Sequence, residues 1–64
     1  MYEIIKKTRA TPNTKFVYEF RGKSSYTKPT SAKYPDMALG SVLYDIDTKS
    51  AYMYDRDIDA WIQQ

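Results

Sequence analysis

Apolar and polar residues alternate with a period of two through residues 41–62. Alternation of this kind places one apolar row on one face of a sheet and does not fit the 3.6-residue period of a helix. Val42, Tyr44 and Ile46 alternate with Leu43, Asp45 and Asp47, and Tyr52 and Tyr54 alternate with Ala51, Met53 and Asp55. The segment reads as a three-stranded antiparallel meander with two tight turns, and Tyr44, Ile46, Tyr52, Tyr54 and Trp61 are its expected large anchors. Asp47-Thr48-Lys49-Ser50 supplies the first turn, where an aspartate can bond its own backbone two residues on. A loop of this length usually needs one residue in the left-handed region, for which glycine is cheapest. Here that place falls to Lys49 or Ser50, at some conformational cost. The second turn, near Asp57-Ile58-Asp59, leads into Trp61.

The N-terminal half predicts a hairpin. Residues 2–9 read as a first strand with Ile4 and Ile5 on opposite faces, so burial along it is partial. Thr11-Pro12-Asn13-Thr14 is a strong turn signal, since proline presets φ and asparagine tolerates the left-handed region. Residues 15–21 form the clearest strand, with Phe16, Tyr18 and Phe20 on one face and Val17, Glu19 and Arg21 on the other. Gly22 ends the hairpin. Residues 22–40 form an irregular arm, and a connection of that length in a compact domain is usually functional or flexible. Pro29 and Pro35 push Lys28 and Tyr34 toward extended geometry. Residues 35–39 can make one helical turn before Gly40 releases the chain into the meander. The expected architecture is all-β: a single small domain whose antiparallel sheet combines an N-terminal hairpin with a C-terminal three-stranded meander.

With 64 residues, such a chain buries only about 60% of its unfolded surface, so its stability is marginal or shared with a partner. It has no cysteine and no histidine. That removes disulfides, thiolate metal sites, the usual general base and the commonest metal ligand. No run approaches the roughly 18 apolar residues of a membrane span, and the charged start does not resemble a signal sequence. The expectation is a protein made and kept in a cytoplasm, or assembled there into something larger. Seven tyrosines, two phenylalanines and one tryptophan are many for this size. Some of those rings must be accessible, and exposed aromatic surface on a small domain points to contacts with other chains. Residues 1–30 carry seven cations against two acids, and residues 31–64 carry three against six. Halves of opposite sign attract each other within one molecule or between neighbours.

Three chemical readings compete with a structural one. Asp55, Asp57 and Asp59 have the spacing of oxygen-ligand loops, but the glycine and closing glutamate of an EF-hand are missing; turn-forming, edge-protecting acids are the better account. Asp45 and Asp47 share a strand face opposite Tyr44 and Ile46. Without a pocket or nucleophile, that pair reads as a solvent-facing surface rather than an acid–base site. Phe16, Tyr18 and Phe20, flanked by Lys15, Arg21 and Lys23, resemble a stacking platform for single-stranded nucleic acid. The competing and better reading makes the three rings half of the core, facing the Tyr/Trp row of the meander.

Several short pieces of the chain, in order, are similar to a family of small bacteriophage proteins found among virion structural genes. The pieces are Phe20-Arg21-Gly22, Thr27-Lys28-Pro29-Thr30, Gly40-Ser41, Ile46-Asp47-Thr48, Tyr52-Met53-Tyr54-Asp55 and Trp61, spread over about residues 18–62. The family's first meander turn carries a glycine where Lys49 stands here. The resemblance implies a non-enzymatic virion component (capsid decoration, head-fibre or tail-associated) without cofactor or metal. Such a protein would meet other virion proteins and copies of itself, in the host cytoplasm during assembly and then in the virion. Arg21, Lys23, Tyr26, Lys28, Tyr34 and Met37, in and beside the arm, are the expected contact residues. A phage-encoded anti-defence or host-protein-binding factor is the alternative, and a single-strand nucleic-acid binder using the basic hairpin is the weaker one.

Overall fold

A computed structural model describes residues 1–9 and 15–64 of the chain. Among them, five strands form one sheet in chain order: β1 (Glu3–Arg9), β2 (Phe16–Gly22), β3 (Val42–Asp45), β4 (Ser50–Asp55) and β5 (Ala60–Gln63). The expected turn at residues 11–14 lies outside the described residues. β1 pairs antiparallel with β2, and β3, β4 and β5 pair antiparallel in succession. The all-β expectation holds, but the sheet is mixed rather than antiparallel. β2 and β3 run parallel, from Glu19 opposite Val42 to Gly22 opposite Asp45. A parallel neighbour needs a crossover of a dozen or more residues, normally a helix. Residues 23–41 provide that length without one. No helix among the described residues is long and apolar enough to cross a membrane.

The phase of β3 is the reverse of the one expected. Leu43 and Asp45 point into the core, whereas Tyr44 is 39% and Ile46 48% exposed. Register explains this. Leu43 sits opposite both Phe20 and Tyr52, so it shares their face, and Tyr44 sits opposite Arg21 and Ala51 on the other. Tyr52 and Tyr54 do point inward, as the alternation of β4 predicts. Tyr2, Tyr18, Phe20, Met37, Leu43 and Tyr54 form the buried cluster, with Phe16, Tyr34, Tyr52 and Trp61 packed against it. The Tyr18 and Phe20 rings stack 5.4 Å apart at 3°, and Phe20 meets Trp61 edge-on at 6.0 Å. Such pairs add about 0.5–1.5 kcal/mol each beyond their buried area. These rings are therefore core and do not form an open stacking platform.

Asp45 also departs from the position its alternation predicts. Its carboxylate is fully buried rather than solvent-facing. The Tyr2 hydroxyl donates to Oδ1 at 2.5 Å, and the Lys28 ammonium stands 3.6 Å from Oδ2. A buried charge stranded without a partner costs several kcal/mol, so this cluster ties the strand end to the N-terminal segment and the arm together. Gly22, opposite Asp45, is glycine for a spatial reason. A Cβ there would meet the Tyr2 ring at 2.5 Å and the Tyr26 ring at 2.8 Å.

The arm lies over the core face and is bonded along its length. Ser24 donates through its N–H and hydroxyl to Asp47, at 2.9 and 2.7 Å. Ser31 does the same to Asp59, at 3.1 and 3.0 Å. Trp61 Nε1 donates to the Pro29 carbonyl at 2.8 Å. Residues 35–39 form no helix. The Met37 N–H closes a turn onto the Tyr34 carbonyl, and Met37 then bridges Phe16 in parallel, extending the sheet beside the start of β2. Gly40 adopts φ 89°, a conformation that favours glycine. Ser41, fully buried, accepts from Tyr18 N–H at 3.0 Å and donates to the Ala38 carbonyl at 2.9 Å. The arm is thus ordered on its own sheet.

Candidate protein interface

With the arm covering one face, the other face of the sheet stays open. Register builds it row by row. Lys6, Glu19, Val42, Met53 and Ile62 stand side by side across all five strands, and Glu3, Arg21, Tyr44 and Ala51 form the next row. The β1–β2 half is charged with both signs. The β3–β5 half is apolar, with Tyr44, Met53 and Ile62 all substantially exposed. A register shift between Ile4 and Lys6 bulges β1 and turns Ile5 toward this face. Ile5 there helps to line a shallow depression of about 230 Å³ with Val42, Tyr44 and Ala51. Bulges and lysines on an edge strand also discourage edge-to-edge pairing.

The six expected contact residues divide. Arg21 and Lys23 are exposed. Tyr26 and Tyr34 are half-buried, Tyr26 edge-on to Tyr2 at 5.6 Å and Tyr34 against Tyr18 and Phe20. Lys28 is engaged by Asp45 and stands 4.4 Å over the Tyr52 ring. Met37 is fully buried, so it is a core residue rather than part of the arm's outer surface. Tyr26, Lys28 and Tyr34 do come together, along a cleft of about 430 Å³ on the arm side, with Tyr2, Phe20 and Lys33. Sequence reasoning missed the apolar half of the open face. The alternation of Ala51 and Met53 with Tyr52 and Tyr54 was its signal, and the inverted phase of β3 concealed how far it extends.

The aspartates act as acceptors for hydroxyls and amides. Tyr18 donates to Asp36 at 2.7 Å and Tyr54 donates to Asp59. These bonds hold the Asp36 and Asp59 carboxyls below the usual carboxylate range, and the Ser24 bonds do the same for Asp47. Burial first, and the carboxylate partner second, push the Tyr2, Tyr18 and Tyr54 phenols up. The hydrogen bond to Tyr18, together with Asp36 at 3.4 Å, raises Lys7. Asp55 receives the Asp57 N–H at 3.0 Å, so Asp55 and Asp59 face separate partners. Among the described residues, no three acidic, histidine or cysteine side chains converge where a metal could bind.

The chain is thus one mixed β-sheet, with an arm closing one face and an apolar strip open on the other. No family model, curated protein or solved structure matches it.

Proposed function

We propose that this chain is a non-enzymatic structural component of a bacteriophage particle, one of many copies, seated on a virion protein through its open sheet face. The observation that carries the reading is the apolar strip of Val42, Tyr44, Met53 and Ile62, left uncovered while the arm is spent on the opposite face. The phage class itself rests on the motif resemblance; the strip supplies the mode of attachment. Three strands about 4.8 Å apart and four residues of about 3.3 Å each give a footprint of roughly 200 Å². That is far below the ~800 Å² per partner of a stable one-to-one complex. A contact this small is useful when many copies bind one lattice and their weak affinities combine.

The test is mass spectrometry of purified particles from a phage carrying the gene, comparing wild type with Met53→Asp. The expected result is a fixed ratio to the major capsid protein for wild type and loss of at least most of it for the variant, with unchanged circular dichroism. Protein abundant in infected cells but missing from particles would overturn the reading in favour of a free host-protein binder. Undiminished incorporation of Met53→Asp would overturn the sheet face as the contact.

A further inference from the structure

The turn between β4 and β5 is built more firmly than a connection requires. Arg56 reaches back to donate to the Met37 carbonyl at 2.7 Å and the Pro35 carbonyl at 3.2 Å. Asp59, at φ 50°, gathers Ser31 and Tyr54, and Asp55 fixes the Asp57 N–H. What this scaffold presents at its tip is Ile58, 61% exposed. Turn tips normally carry polar residues or glycine, and none of these bonds requires an isoleucine there. Fixing an apolar side chain in advance lowers the ordering cost of a contact. Beside it, the Asp57 carboxylate pairs with no cation among the described residues.

The arm-side cleft has the complementary character. Its floor is aromatic, from Phe20, Tyr26 and Tyr34, and no carboxylate lines it. Its volume of about 430 Å³ is ample for an isoleucine side chain. Lys33 stands at its rim, 5.9 Å from the Tyr34 ring centre, and pairs with no carboxylate among the described residues.

We propose that the turn of one copy docks into the arm-side cleft of a second copy of this chain, Ile58 entering the cleft and Asp57 pairing with Lys33. Charge complementarity selects this occupant: an apolar knob flanked by an acid meets an apolar cleft flanked by a base. The contact joins two different patches, so each copy in a pair can still offer the unused one, and the contact is heterologous. It uses neither Met53 nor the open sheet face, and it stands or falls independently of attachment to a particle.

Sedimentation of the full chain over a range of concentrations into the millimolar tests it. The wild type is expected to gain mass with concentration and to lose that gain as salt is added, since an exposed ion pair is screened. Ile58→Asp, which carries no apolar knob, and Lys33→Glu, whose rim repels Asp57, are each expected to associate about tenfold or more weakly. Both positions are exposed, and a thermal melt of each variant checks that it folds; if Lys33→Glu does not, Asp57→Lys replaces it in the same comparison with Ile58→Asp exchanged for Thr30→Trp. An equimolar mixture of Ile58→Asp and Lys33→Glu is expected to recover paired species, because each supplies the patch the other lacks. A wild type monomeric at every concentration, variants that associate as well as wild type, a mixture that recovers nothing, or association abolished by Met53→Asp instead would each overturn the proposal.

Discussion

Lys49 occupies φ 56° in the first meander turn, the left-handed place that the length of the loop requires and that glycine fills without strain. Lys49→Gly is therefore expected to stabilise the domain by about 0.5–1 kcal/mol, after allowing for the greater freedom glycine gives the unfolded chain. Chemical denaturation of both proteins checks this, and an unchanged or lower midpoint for the glycine variant would count against it. This position was legible because turn geometry is local. Asp45 was not. An aspartate between Tyr44 and Ile46 looks like an outward residue, and only the arrival of Tyr2 and Lys28 from 43 and 17 positions away makes its burial tolerable. The inward face of β3 was hidden for the same reason: Tyr44 and Ile46 carry more apolar bulk together than Leu43 and Asp45, but Leu43 has the register.

The arm, as an element, is held by acids at both meander turns. Ser24 clamps Asp47 and Ser31 clamps Asp59, while Tyr18 holds Asp36 within the arm. All three carboxyls have folded values below their unfolded ones. The stability they contribute is thus complete above the unfolded aspartate value of about 3.9 and is lost as pH falls through the folded values. Melting temperature is expected to hold from neutral pH to about 5 and to decline below about 4, and Asp47→Asn is expected to shallow that decline. A wild-type melting temperature that stays flat across the acid range would refute the clamps as stabilising contacts. The strands of the meander could be read from alternation. The landing place of the arm could not, because residues 23–33 are rich in Ser, Thr and Lys and look solvated until the aspartates that receive them are placed.

At the scale of the molecule, one sheet and one irregular arm share a single core. Tyr26, Pro29 and Tyr34 close it from the arm side, and Trp61 bonds Pro29. Excision of residues 24–36 is expected to abolish cooperative unfolding rather than to leave a folded domain without its arm; a cooperative melt in the shortened chain would refute this. The class of fold was open to sequence reading, since strands, hairpin and meander all follow from local pattern. The parallel pairing of β2 with β3 was not, because nothing in either strand states which way its neighbour runs.

That pairing has a consequence for synthesis. Tyr18 and Phe20 emerge from the ribosome early, yet the residues that cover them, Leu43, Tyr54 and Trp61, follow much later. The leading hairpin, alone, has no second layer, and an isolated hairpin is marginal in water. Its rings stay uncovered while the remainder is translated, an interval of seconds at ordinary elongation rates of about 5–20 residues per second. The core therefore closes only once the chain through Trp61 is free of the ribosome, and during those seconds a nascent chain is open to chaperones and to its neighbours on the same message.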